Sequence, residues 1–222
     1  MENEVVEKLN QFFSQGKTVS YKKGEIILRA GEPVFGIFFL KKGFVRQYLI
    51  SEEGEEVTIH LYRPLAFFPT MLVIAGTPNR YYFEAQTPIE TFRLPPEEVV
   101  AFLKENPDVL FDLSERFAQA VIGLSKRIET LSIGSVYAKV ISLLSYLVIR
   151  FGEEKDGQIL IGLPVTHTDI ASWTGAKRET VSRQIERLTK DGIIGVEKHL
   201  IVVKDKAKLE EELKHYHESE SL

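Results

Sequence analysis

The sequence predicts an α+β fold: an N-terminal antiparallel β-roll of the jelly-roll kind, a long helix, and a C-terminal winged helix-turn-helix domain. Three observations predict it. Between Tyr21 and Leu94 short β-rich runs are closed by turn residues every few positions. From Leu110 to Leu131 apolar residues recur at intervals of seven. After Thr166 a short helical stretch, a glycine, a second helix and an alternating segment follow one another.

Composition sets the frame. At 222 residues, 44% of them hydrophobic, the chain can bury a sizeable core and make two domains. It has no cysteine, which excludes disulfides, iron-sulfur clusters, cysteine-zinc sites and cysteine nucleophiles. The start "MENEVVEKLNQFF" is acidic and amphipathic, unlike a signal peptide, and no apolar run reaches the roughly 18 residues of a membrane span. A soluble cytoplasmic protein without a membrane partner is expected.

The roll comes first. Its strand-like runs are "EIILRAG", "GIFFLKKG", "FVRQYLI", "VTIHLY" and "YYFEA", broken at Gly24, Gly31, Gly36, Gly43 and Gly54. Short segments of β-branched and aromatic residues spaced this way belong to antiparallel sandwiches and rolls. At Pro95 the period changes: "PPEEVVAFLKEN" is a short helix with proline at its start, which closes a first domain at 1–106.

Asn106-Pro107 opens the long helix, 107–133. Leu110, Phe117, Leu124 and Leu131 are seven apart, with Leu113, Val121 and Ile128 beside them. A heptad spacing keeps one stripe facing a partner helix. Part of the stripe packs on its own β-domain, but a helix of about 40 Å is longer than a small roll can cover. Leu110, Phe117, Val121, Leu124, Ile128 and Leu131 are therefore expected to form a homodimer seam.

The third region is 134–222. "SIGS" at 132–135 reads as a hinge, with Ser135 the N-cap of the helix "VYAKVISLLSYLVIRFG". Thr166 with Asp169 resembles a capping box opening the helix "HTDIASW", and Gly175 permits a tight turn. A helix over 177–190 ends at Asp191-Gly192, and "IIGVEKHLIVV" alternates like a β-hairpin. Helix, turn, helix and hairpin make a winged helix-turn-helix.

The helix 177–190 carries the chemistry. On a wheel Val181, Ile185 and Leu188 lie within about 60° of one another, while Arg178, Glu179, Ser182 and Arg183 fill an adjoining arc of about 140°. The first set anchors and the second projects. One reading is a solvated face, with Glu179 and Arg183 an i, i+4 pair contributing about 0.3 to 0.5 kcal/mol. The other is an element that enters a DNA major groove. There arginine binds guanine O6 and N7 bidentately and glutamate accepts from cytosine N4. Charge favours the second: residues 163–204 carry seven Lys/Arg against five Asp/Glu in a chain of net charge -4.

"THTDIASWTGAKRETVSRQIERLTKDGII", preceded by a β-roll and a long helix, resembles the CRP/FNR family of bacterial transcription regulators over nearly the whole chain. The resemblance implies a homodimer that binds double-stranded DNA and contacts RNA polymerase. It places Arg178, Glu179 and Arg183 at the base-reading positions of cyclic-AMP receptor proteins, and Ser182 at a base-contacting serine of the fumarate-nitrate branch. Thr168 matches a polar contact at the start of the first helix. Lys177 departs from the usual Ser or Thr, so an ammonium would meet phosphate there. Thr166, Thr168, Lys177, Lys198 and His199 are the expected DNA-backbone contacts. The half-site expected is TGTGA-like or TTGA-like, repeated as an inverted pair.

The same resemblance frames the effector question. The cyclic-AMP branch has a Gly-Glu-Leu segment followed by Arg and a small hydroxyl residue, so that backbone N–H groups and a guanidinium converge on phosphate. Here the stretch is "LAFFPTMLVIAGTPNRYYFEA": Gly-Glu is missing, Pro69 removes a donor, and Arg80 precedes Tyr81. Of two hydroxyl residues expected on the long helix, only Ser125 remains, next to Leu124. Cyclic-AMP binding is not expected, no cofactor is expected, and an effector is unknown or absent. Phe67, Phe68, Tyr81, Tyr82 and Phe83 either fill the roll or line a pocket for another small molecule; Phe68, Thr70, Arg80, Tyr82 and Ser125 are the candidate pocket residues.

An enzyme is not expected. Metal chemistry in rolls of this kind needs two or three His with a carboxylate, and His60 is the single His of the first domain. Neither a phosphate-binding glycine loop nor a Gly-x-Ser-x-Gly elbow is present. The alternative to a DNA-binding regulator is a small-molecule-binding regulatory subunit without DNA activity of its own.

Overall fold

The computed structural model describes residues 3–133, 135–197 and 200–219. Its contacts divide the chain into two compact units, Met1–Val121 and Ile122–Leu222. The division falls inside the long helix, between the expected boundaries 106/107 and 133/134.

The first unit starts with α1 (Asn3–Phe13), followed by β1 (Lys17–Tyr21), β2 (Ile26–Leu28), β3 (Ile37–Lys42), β4 (Val45–Ile50), β5 (Glu56–Tyr62) and β6 (Phe67–Phe68). Then come α2 (Thr70–Ala75), β7 (Tyr82–Ala85), β8 (Ile89–Leu94), α3 (Pro96–Glu105) and α4 (Pro107–Ile133), whose first half belongs here. Two four-stranded antiparallel sheets result, in the orders β1-β8-β3-β6 and β2-β7-β4-β5. The strands foreseen in the sequence are β2, β3, β4, β5 and β7, while β1, β6 and β8 were not.

β3 shows why the run "IFFL" does not alternate. Phe38 and Leu40 enter a core between the sheets with Leu28, Val45, Phe68, Phe83 and Ala85. Ile37 and Phe39 enter a second core with Leu9 and Phe13 of α1, Val99 and Leu103 of α3, and Val109 and Leu113 of α4. A strand covered on both faces reads as a continuous apolar run, since successive side chains point to opposite faces. Phe67 and Phe68 divide between the two cores in the same way.

The second unit continues α4 and adds α5 (Val136–Phe151), β9 (Gly152–Lys155), β10 (Gln158–Ile161), α6 (His167–Thr174), α7 (Arg178–Lys190), β11 (Ile194–Glu197), β12 (Leu200–Val203) and α8 (Lys206–Ser219). The strands form one antiparallel sheet, β11-β12-β10-β9. Ser135 caps α5 as expected, its side chain accepting from the Ala138 N–H. The predominantly apolar α5 buries Val140, Ile141, Leu144 and Leu147, and α6, α7 and α8 pack on it. The hairpin β9-β10 and the helix α8 are additions to the sequence reading. Among the described residues no helix is long and apolar enough to cross a membrane.

Candidate nucleic-acid interface

Thr166 and Asp169 form a reciprocal capping box. The Asp169 N–H donates to Thr166 Oγ1 at 3.1 Å, and the Thr166 N–H donates to Asp169 Oδ2 at 2.7 Å. Two otherwise orphaned backbone donors are satisfied, which fixes where α6 starts. The Thr166 hydroxyl is also bonded to Asp169 Oδ2, at 2.7 Å, so an expected backbone contact serves first as a cap. Thr168 is exposed in the first turn of the same helix. Gly175 ends α6 with φ of 63°, a left-handed conformation that costs a residue with a Cβ more than it costs glycine.

The turn delivers the chain to α7 at Lys177, exposed at the N-cap position. Val181, Ile185 and Leu188 are buried at 0%, 4% and 0% exposure, which fixes the rotation of α7 about its axis. Arg178, Glu179 and Arg183 are exposed as a consequence. Among the described residues no ion pair joins Glu179 to Arg183. Arg183 Nη2 instead donates to Thr180 Oγ1 at 3.3 Å. The solvated-pair alternative thus lacks its contact. Glu179 lies in the first turn, where the N–H ends of the helix favour an anion. Ser182 is half-buried and its Oγ lies 2.7 Å from His167 Nδ1, a partner the sequence did not suggest. Lys198 and His199, expected at the backbone from the wing, lie outside the described residues.

Two other cations of this unit lie over aromatic rings. The Arg187 guanidinium lies 4.1 Å from the Tyr137 ring centroid and 3.8 Å from Asp191. Arg127, on the C-terminal half of α4, lies 4.7 Å from the Trp173 ring centroid, and its Nη2 donates to the Trp173 carbonyl at 2.9 Å. Burial lowers the Arg127 pKa from its ordinary value. Thr130 and Ser142 hydroxyls, 3.1 Å apart, join α4 to α5. The end of the long helix is thereby fastened to the first helix of the second unit's helical core. No periodicity in the sequence signals a single arginine meeting a single tryptophan.

The candidate pocket residues of the roll have the following places. Phe68 lies in the inter-sheet core, its ring centroid 5.7 Å from Phe38 and 5.5 Å from Phe83. Thr70 is buried and its hydroxyl donates to the Phe67 carbonyl at 2.9 Å. Tyr82 points to the other face of its sheet, because it alternates with Phe83, and stacks on Tyr48 at 5.2 Å. Arg80 is exposed, and Ser125 belongs to the other unit. Tyr62 packs against the inter-sheet core and donates its hydroxyl to Gln47 Oε1 at 2.8 Å. Aromatic rings occupy the inside of the roll.

The seam residues divide as well. Phe117 packs against the core shared by the helices and β3, and Leu113 is buried within it. Leu110, Val121, Leu124 and Ile128 are exposed at 40%, 61%, 44% and 64%, and Leu131 is half-buried. Phe117, expected in the seam, is half-buried and packs against the core of its own domain.

Comparison with known proteins matches residues 18–106 to the cyclic nucleotide-binding domain and residues 138–212 to the Crp-like helix-turn-helix domain. The global nitrogen regulator of Synechocystis is 30% identical over 186 residues, which are 83% of each chain. The transcriptional regulator SdrP of Thermus thermophilus is 32% identical over 80% of this chain and 85% of its own. A crystal structure of a CRP/FNR-family transcriptional regulator, also from Thermus thermophilus, superposes with a TM-score of 0.71 at 29% identity, covering 89% of this chain and 98% of that one. These relatives are regulators, not enzymes.

Proposed function

The chain belongs to the CRP/FNR family of transcription regulators, and from that premise we propose that it is a homodimer reading a palindromic DNA site through α7. Arg178 and Arg183 each bind a guanine, and Glu179 accepts from the cytosine opposite one of them. The half-site then holds a G-A step within a TGTGA-like or TTGA-like sequence, repeated inversely about 34 Å apart. Lys177, Thr166, Thr168, Lys198 and His199 meet phosphate, which adds affinity and salt dependence but carries no sequence information.

One observation carries the reading: burial of Val181, Ile185 and Leu188 turns Arg178, Glu179 and Arg183 outward together, without a Glu179–Arg183 ion pair to occupy them. Operator binding proceeds without cyclic AMP. The missing Gly-Glu and Arg-hydroxyl elements and the aromatic filling of the roll support this. Contact with RNA polymerase, and residence in the cytoplasm, complete the role.

The test selects the preferred site from random DNA with purified, ligand-free protein, then measures Glu179→Ala and Lys177→Ala on that site, on each single-base mismatch and on random DNA at several salt concentrations. Glu179→Ala is expected to cost about 1 to 3 kcal/mol on the preferred site and to relax discrimination at one base pair. Lys177→Ala is expected to weaken all sequences alike and to lower the salt slope by about one unit. Unchanged discrimination in Glu179→Ala returns Glu179 to a solvated face.

A further inference from the structure

Ser182 lies in the middle of a helix, where a short hydroxyl side chain ordinarily bonds the carbonyl four residues back. Three helical hydroxyls of this chain do so: Thr174 donates to the Ile170 carbonyl at 2.8 Å, Thr189 to the Ile185 carbonyl at 2.8 Å, and Ser114 to the Leu110 carbonyl at 2.9 Å. A hydroxyl committed to its own backbone has its proton directed away from any base. Ser182 Oγ instead pairs with His167 Nδ1 at 2.7 Å.

His167 is well placed to hold it. It is the first residue of α6, next to the Thr166–Asp169 capping box, so its backbone is fixed by two hydrogen bonds on either side of the cap. Both side chains are half-buried between α6 and α7. A serine hydroxyl has one donor and two acceptor positions. With one of them taken by the imidazole, the orientation and the remaining hydrogen-bonding sense of the others are set by His167 and not by free rotation.

We infer that His167 is a positioning residue for base specificity: through Ser182 Oγ it sets which base α7 accepts at the pair facing Ser182. The inference rests on the proposed reading of DNA by α7. It assigns to the first helix of the motif a share in specificity that does not require His167 to touch a base.

The experiment uses the full-length protein. Binding is measured by fluorescence anisotropy on the selected site and on all its single-base variants, for the parent, His167→Ala, His167→Asn, Ser182→Ala and the double variant His167→Ala/Ser182→Ala. Thermal melting checks that each variant is folded; His167→Asn keeps a polar atom near the Nδ1 position should the alanine variant fold poorly. His167→Ala and Ser182→Ala are each expected to reduce discrimination about fivefold at one and the same base pair. The double variant is expected to lose no more than either alone, and His167→Asn to keep the parent's preference. A uniform loss on every sequence, or a lowered salt slope with the base preferences intact, makes His167 a docking or phosphate residue and overturns the inference. So does an unaltered preference in Ser182→Ala, which leaves Arg178 and Glu179 standing as readers. Failure of the parent to prefer any sequence overturns the DNA-reading proposal itself, a distinct outcome.

Discussion

Tyr137 illustrates how one residue ties a tertiary contact to pH. It is buried on α5 under the Arg187 guanidinium, and its hydroxyl donates to Glu212 Oε2 of α8 at 3.2 Å. Burial first, and the Glu212 charge second, push its phenol from the ordinary value of 10 up to about 12. A folded-state pKa raised above the unfolded one stabilises the folded form fully below pH 10, and that contribution is lost as pH rises through about 12. The second unit is expected to lose stability over that alkaline window, and Tyr137→Phe to lose less of it. Melting temperatures of both proteins across the window check this; superimposable curves would count against the linkage. At the same scale the wheel position of Val181, Ile185 and Leu188 was readable beforehand, because three apolar residues on one helical face have a single way to leave water. The His167–Ser182 bond was not, because a contact fifteen positions apart has no periodicity.

At the scale of elements, what the sequence displayed well was punctuation. The capping box at Thr166, the left-handed Gly175 and the N-cap Ser135 stand where local hydrogen bonding and backbone sterics require them. Ser135→Ala is expected to destabilise the second unit by about 1 kcal/mol. The lower transition should appear in the melting of that unit while the first unit is unmoved; an unchanged second-unit transition would show that the cap contributes nothing. The elements that escaped prediction are short or polar. β6 has two residues and α2 six, too few to establish a period. α8, "KAKLEEELKHYHES", is rich in charge and shows little apolar periodicity, yet it buries Leu209 and packs on α5. β1 and β8 escaped because their apolar residues are interleaved with Thr, Ser and Glu, and pairing of β8 with both β1 and β3 makes them strands.

For the whole molecule the deciding feature is the apolar stripe on α4. Leu110, Val121, Leu124 and Ile128 are exposed in the single chain, and the proposed homodimer would bury them between two copies of the helix. If the proposed seam forms, Leu124→Glu places an unpaired charge in it and is expected to give monomers. Analytical ultracentrifugation checks it, and an undisturbed dimer removes Leu124 from the interface. By itself the sequence determined the order of roll, long helix and helix-turn-helix, the caps and turns, and the outward face of α7. All of these follow from local periodicity, backbone sterics and hydrogen bonds within a few residues. Only the tertiary structure decided that Phe117 packs against a core, that Tyr82 and Phe83 take opposite faces of their sheet, and that His167 is bonded to Ser182. Those outcomes depend on which distant segments compete for the same apolar surface or hydroxyl, a competition settled by packing the chain against itself.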